Sequence, residues 1–186
     1  MMRPLLLAAL VLGALPGIAR AQNEERLPAG KFGVSVGVRQ GLGQLNDDYG
    51  AGVVGAMEAA YHPSALPSQL SLGLAWSVAW GWFGFDDQAS VTGSLRLLEL
   101  NFGIRLRRPI SEVVPRFLVA GSGATFLRSN VPIPPDLERI YIGPYVTLGL
   151  EQFLSNSTIL SFEARYGLIA TGPGGISLVL GIAFGR

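Results

Sequence analysis

From Leu70 to Trp82, in the stretch QLSLGLAWSVAWGWFGF, every second residue is large and apolar: Leu70, Leu72, Leu74, Trp76, Val78, Trp80 and Trp82. Between them lie Ser71, Gly73, Ala75, Ser77, Ala79 and Gly81. Period two is the mark of a β-strand, whose successive side chains point to opposite faces. All three tryptophans of the chain share one face. A strand with one greasy face and one face of very small residues calls for apolar surroundings on one side and a tightly filled interior on the other. A solvated outer surface would need charge that this strand lacks.

The pattern recurs along the chain. In KFGVSVGVR, Phe32, Val34, Val36 and Val38 alternate with Lys31, Gly33, Ser35, Gly37 and Arg39. A second strand, about Ala51 to His62, opposes Val53, Met57 and Tyr61 to Val54, Ala56 and Glu58; the tryptophan stretch is the third. The fourth, about Ser94 to Arg107, sets Leu98, Leu100, Phe102, Ile104 and Leu106 against Glu99, Asn101, Gly103, Arg105 and Arg107. In the fifth, about Arg116 to Leu127, both faces are apolar or small, so its register stays open. The sixth, about Ile140 to Phe153, carries Pro144, which removes one ladder hydrogen bond. The seventh opposes Leu160, Phe162, Ala164, Tyr166 and Leu168 to Ser161, Glu163, Arg165 and Gly167, and GISLVLGIAFGR makes the eighth.

The connections QGLGQLNDDYG, GFDDQASVTG and NVPIPPDLE, after strands one, three and five, are longer and polar or Pro-rich, whereas PISEVV and SNST are tight. TGPGG, between strands seven and eight, is a short exception on the long side. Hairpins with turns at one rim and loops at the other make an up-and-down meander.

The N-terminus reads as an export signal. Arg3 precedes an apolar run from Leu5 to Leu15, and Ala19 and Ala21 form an A-x-A site before Gln22. Residues 1–21 are therefore expected to be a cleaved signal peptide, 22–30 a polar periplasmic lead and 31–186 one all-β domain. Cleavage removes Arg3 and Arg20, so 14 basic residues fall to 12 against 13 acidic ones, a balance that offers nothing to nucleic acid. With no cysteine, the exported chain has neither disulfides nor a lipoprotein anchor.

A soluble barrel would turn its apolar face inward and its charges outward. Here the non-greasy face is Gly, Ala, Ser and Thr with a few charges, which suits the narrow lumen of an eight-stranded barrel. The Leu, Ile, Val, Phe and Trp face then meets lipid, with Trp80, Trp82 and Phe85 in an aromatic girdle near the outer rim. The inward ionisable residues are Glu58, Glu99, Arg105, Arg107, Glu151, Glu163 and Arg165. They are expected to form a structural polar network, Glu99 and Arg105 pointing the same way on strand four and Glu163 and Arg165 on strand seven, rather than an ion path.

The signal sequence, the eight alternating segments and the aromatic-ended last strand resemble the small outer-membrane β-barrels of Gram-negative bacteria, such as the transmembrane domain of outer membrane protein A and its short-looped relatives. The resemblance covers Lys31 to the end and is one of architecture. It implies an eight-stranded antiparallel transmembrane barrel in the outer membrane, a monomer in contact with outer-membrane lipids and lipopolysaccharide, and recognition by the barrel-assembly machinery. Such families end on an aromatic residue; here Phe184 is followed by Gly185 and Arg186.

Candidate chemistry is sparse. His62 is the single histidine, with Ser64 two residues on. Some barrels of this size are lipid A deacylases using His, Ser and an acid, but an even strand ends at the periplasmic rim, which makes His62 a turn residue. Asp47, Asp48, Asp86 and Asp87 could gather calcium through oxygen ligands, though paired acids in Gly-rich loops are commonly just solvated. The expectation is a non-enzymatic barrel without metal or cofactor and with a structural or surface-interaction role; the alternatives are a lipid-modifying enzyme or a narrow pore.

Overall fold

Alternation carries through to a closed sheet. The computed structural model describes residues 28–42, 46, 49–63, 70–84, 94–111, 115–133, 138–168 and 174–185. Eight strands follow one another: β1 (Gly30–Gly41), β2 (Ala51–Tyr61), β3 (Ser71–Phe83), β4 (Leu95–Pro109), β5 (Arg116–Ile133), β6 (Glu138–Phe153), β7 (Thr158–Gly167) and β8 (Gly175–Gly185). Each pairs antiparallel with the next, and β8 pairs with β1 from Lys31↔Gly185 to Gly41↔Gly175. The result is an up-and-down barrel with no free edge. Residues 1–27, Ser64, Phe85 and the aspartates at 47, 48, 86 and 87 lie outside the described residues.

The open register of the fifth strand resolves in favour of its bulk. Phe117, Val119, Thr125 and Leu127 of β5 point inward, and Leu118 and Phe126 point outward. Where the two faces are equally apolar, neighbours decide: Gly103 of β4 lies opposite Gly123 of β5. A Cβ built at either glycine would run into the other strand's backbone, so only glycine fits where the two strands face each other here.

The segment expected as a long loop after β5 is partly strand. Asn130–Ile133 continue β5 beyond its last β4 pair, Leu97↔Ser129, and after a register shift Ile133 meets Glu138 of β6. Val131 and Ile133 favour extended backbone, and Pro132 is tolerated because this part of the strand has no ladder on its β4 side.

The interior is layered along the barrel axis. At the rim bearing the β1–β2 and β3–β4 connections, Tyr49, Phe83, Leu95, Leu97, Leu127 and Tyr141 form an apolar cluster. At the opposite rim, Phe117, Phe153, Ile159 and Ala183 form another. Polar and charged residues fill the space between them, beside a small patch of Val54, Ala56, Ala79 and Val179. Outside, thirty large apolar side chains are exposed among the described residues, Trp76 and Leu148 at mid-strand among them. A soluble monomer rarely shows contiguous apolar surface of more than a few hundred Å². The burial pattern of a water-soluble barrel is inverted.

Because the native chain has no cysteine, single cysteines report on each face without background. Cysteine at 72, 74, 76 or 80 of the folded protein should react with an apolar maleimide, and cysteine at 71, 73 or 79 should react only after unfolding. Equal labelling of both sets would refute the assignment of faces.

Candidate functional site

The charged residues of the lumen come from five strands and meet at mid-barrel. Glu151 on β6 lies between three cations. Arg105 Nη2 reaches its Oε1 at 2.8 Å, Arg107 Nε donates to its Oε2 at 2.9 Å, and Lys31 of β1 pairs with it from across the lumen. Arg105 also bonds Glu163 of β7. Arg165, two residues along, reaches Glu163 Oε2 at 3.4 Å and pairs with Glu58 of β2, which also accepts from the Ser35 hydroxyl. The connected set has four cations (Lys31, Arg105, Arg107 and Arg165) and three carboxylates. Nearer the long-loop rim, Arg39 and Glu99 form a separate pair.

Most of this lies out of water. Glu151 and Glu163 are each 1% exposed, Arg107 2% and Arg105 4%. A carboxylate buried that deeply persists as an ion only among fixed cations and donors, and Glu151 has three. Room for the long side chains comes from the small residues seen in the alternation. A Cβ built on Gly149 would stand 2.7 Å from Cγ of Glu163, and one on Gly175 would stand 2.7 Å from Nε of Arg39. At these two positions glycine leaves the space that a Glu and an Arg side chain fill.

At the short-turn rim the network joins the apolar cluster. The Arg107 guanidinium lies 5.6 Å from the Phe117 ring centre and 5.5 Å from that of Phe153, and the two rings meet edge to face at 5.5 Å. This cation–π contact lets one side chain belong to both layers. His62, just past β2, is fully buried beside them, with Nδ1 3.4 Å from Ser71 Oγ. Burial first, and the Arg107 guanidinium next, push its imidazole down to about 3, so the ring is neutral. It is a packed rim residue, and among the described residues no carboxylate is bonded to it. Between the described side chains lie cavities of about 30 and 20 Å³, the first lined by Glu58, Arg105, Thr147 and Glu163, the second by Glu99, Thr125 and Ser177. Each can hold an isolated water but not a continuous column.

Every ionisable lumen residue expected from the sequence, Glu58, Glu99, Arg105, Arg107, Glu151, Glu163 and Arg165, faces inward and is ion-paired. Glu99 pairs with Arg39 and not with Arg105, six residues along its own strand, because Arg39 reaches it directly from the opposite wall. Lys31 and Arg39 were missing from the expected set. The alternation of β1 already put them on the face of Gly33 and Ser35, but at the two ends of the strand they read as flanking charges. Trp80 and Trp82 lie outward near the long-loop end of β3. Among the described residues no group of acids and histidine is placed to hold a metal ion.

The sequence matches no protein-family model and none of the curated proteins. Solved structures share its fold. Neisserial surface protein A superimposes with a TM-score of 0.59 at 14% identity over 85% of this chain and 97% of its own. For the outer membrane protein OprG of Pseudomonas aeruginosa the values are 0.55, 10%, 88% and 100%. For the N-terminal β-barrel domain of OprF from the same organism they are 0.52, 9%, 86% and 98%. The chain is a closed eight-stranded antiparallel barrel of the kind found in small outer-membrane proteins.

Replacing Arg165 by Ala leaves Glu58 without its cation. Urea unfolding in micelles should show a loss of about 3 kcal/mol, the low end for breaking a buried pair because both side chains keep slight exposure. The double change Glu58→Gln with Arg165→Met should recover much of that loss. A double variant no more stable than Arg165→Ala would mean that packing, not the stranded charge, sets the cost.

Proposed function

We propose that this chain is an integral protein of a bacterial outer membrane, a non-enzymatic monomer whose charged lumen braces the barrel and whose outer loops serve a structural or surface-interaction role. Residues 1–21 act as the cleaved export signal and 22–30 as a periplasmic lead; outer-membrane lipids and lipopolysaccharide surround the wall, and the barrel-assembly machinery inserts it. The observation that carries the reading is the inverted burial: an apolar exterior on a sheet with no open edge, around buried ion pairs. Lipid tolerates such a wall because every strand finds both its neighbours, and strands of 10 to 18 residues meet or exceed the roughly 9–11 needed to cross at a 45° tilt.

Two alternatives fare worse. A pore needs a continuous wet path, whereas the described interior is packed with paired charges between apolar clusters at both rims, with cavities of only about 30 and 20 Å³ beside those charges. A lipid-modifying enzyme needs an exposed nucleophile and base in the leaflet that holds its substrate. His62 is buried at the rim of the short turns, and every described lumen carboxylate is held by a cation.

Expressed with its leader in a Gram-negative host, the protein should fractionate with outer membranes, begin at Gln22, and migrate differently on detergent gels before and after boiling. Recovery as a soluble periplasmic monomer without detergent would overturn the membrane assignment. In planar bilayers the parent should show no steady conductance. Steady current whose ion selectivity reverses in Glu99→Lys or Glu163→Lys would replace the brace by a pore.

Placing Arg at outward Leu148 should cost about 2–4 kcal/mol in bilayers, the range for a charge near the midplane. A much smaller loss, with Leu148→Asn equally tolerated, would place this face outside the hydrocarbon.

A further inference from the structure

The outer wall gathers charge in one place that the lumen does not account for. At the long-loop end of β3 to β6, outward residues line up in two rows. In the upper row, Trp82 pairs with Arg96, and the Arg96 amide donates to Asn130 Oδ1 at 2.8 Å. One step down the strands, Trp80 pairs with Leu98, Leu98 with Arg128, and Arg128 with Ile140. Arg139 completes a groove of about 460 Å³ that opens sideways from the wall, bounded by Trp80, Trp82, Leu98, Arg96, Arg128 and Arg139. Asn130 also donates to the Ser94 carbonyl at 3.0 Å, which ties β4 to β5 and fixes that end of the groove.

The electrostatics run opposite to those of the interior. Inside, Arg39, Arg105, Arg107 and Arg165 each meet a carboxylate. Among the described residues no acid lines the outer groove, and none of Arg96, Arg128 and Arg139 has a carboxylate partner. One arginine at such a rim would simply extend into water. Three on adjacent strands, lining one groove above Trp and Leu, leave a positive field that no described carboxylate answers. Guanidinium groups present planar forks that match phosphate oxygens, and indole rings favour the level where headgroups meet acyl chains.

We propose that this groove binds a phosphate-bearing lipid of the adjoining leaflet, with its phosphate among Arg96, Arg128 and Arg139 and its first acyl carbons along Trp80 and Leu98. The proposal rests on the membrane reading above and adds a ligand and a place to it. A soluble polyanion would use the arginines but not the apolar floor, and the groove faces along the membrane plane, where a lipid arrives by lateral diffusion.

The test uses the mature chain refolded in nonionic detergent, its folding verified by heat-dependent gel mobility, with bisphosphorylated lipid A as probe and binding read by native mass spectrometry. The parent should retain the lipid. The combined variant Arg96→Gln, Arg128→Gln, Arg139→Gln, verified as folded in the same way, should bind about a hundredfold more weakly, from the contribution expected of three interfacial arginines. Arg108→Gln, at the opposite rim, should leave binding unchanged. Dephosphorylated lipid A should bind far more weakly than the parent lipid, and inorganic phosphate at equal concentration should not displace it. The groove is refuted if the folded triple variant binds as the parent does, if the dephosphorylated lipid binds equally well, or if inorganic phosphate displaces the lipid. Any of these results from a folded, micelle-inserted barrel would leave the membrane assignment standing.

Discussion

The pairing of β8 with β1 is the contact on which the rest depends. An open sheet of these eight strands would present two rows of unpaired amides and carbonyls, and an apolar surrounding offers them nothing. Closure in the register Lys31↔Gly185 to Gly41↔Gly175 removes both rows together. It also fixes the diameter, and an eight-stranded lumen is only wide enough to be filled by side chains. The small residues of the inward face, the short list of long polar ones and the apolar exterior all follow from that one geometric decision.

Filling so narrow a space with charge is costly unless each charge is answered locally. The lumen does this by threading carboxylates and cations from different strands into a connected chain, Lys31–Glu151–Arg105–Glu163–Arg165–Glu58. Arg107 then hands the chain over to the rings of Phe117 and Phe153. An apolar filling of the same volume could be as stable. What charge adds is direction, because each guanidinium accepts only the geometry that its carboxylates dictate.

The fold was legible because a period of two survives in nearly every strand and because the small-residue face excluded a solvated exterior. Legibility failed where that contrast faded. β5 carries Phe117 and Val119 inward and Leu118 and Phe126 outward, so its register came from its neighbours, not from its own sequence. The overhang at Asn130–Ile133 was hidden because Pro132 reads as a loop residue, and only the absence of a β4 partner there makes it acceptable. In the lumen the faces were readable but the pairs were not. Arg39 with Glu99 and Lys31 with Glu151 are fixed by which walls confront each other across the barrel, which alternation along a single strand cannot express. The outer groove escaped for the same reason, since Arg96, Arg128 and Arg139 converge only once β4, β5 and β6 lie side by side.

The distances in sequence that the ion pairs bridge have a bearing on how the barrel comes together. Lys31 and Glu151 are 120 residues apart, and Glu58 and Arg165 are 107 apart. A partly built sheet, with its first strands waiting for its last, carries these charges uncompensated. These two pairs form only when β8 docks against β1, because that seam brings β1 and β2 round to β6 and β7; a strand that slips by one residue turns its own inward side chains outward. Lys31–Glu151 and Glu58–Arg165 thus act as a checksum on assembly: correct closure brings both pairs together, and a misaligned one leaves their charges apart.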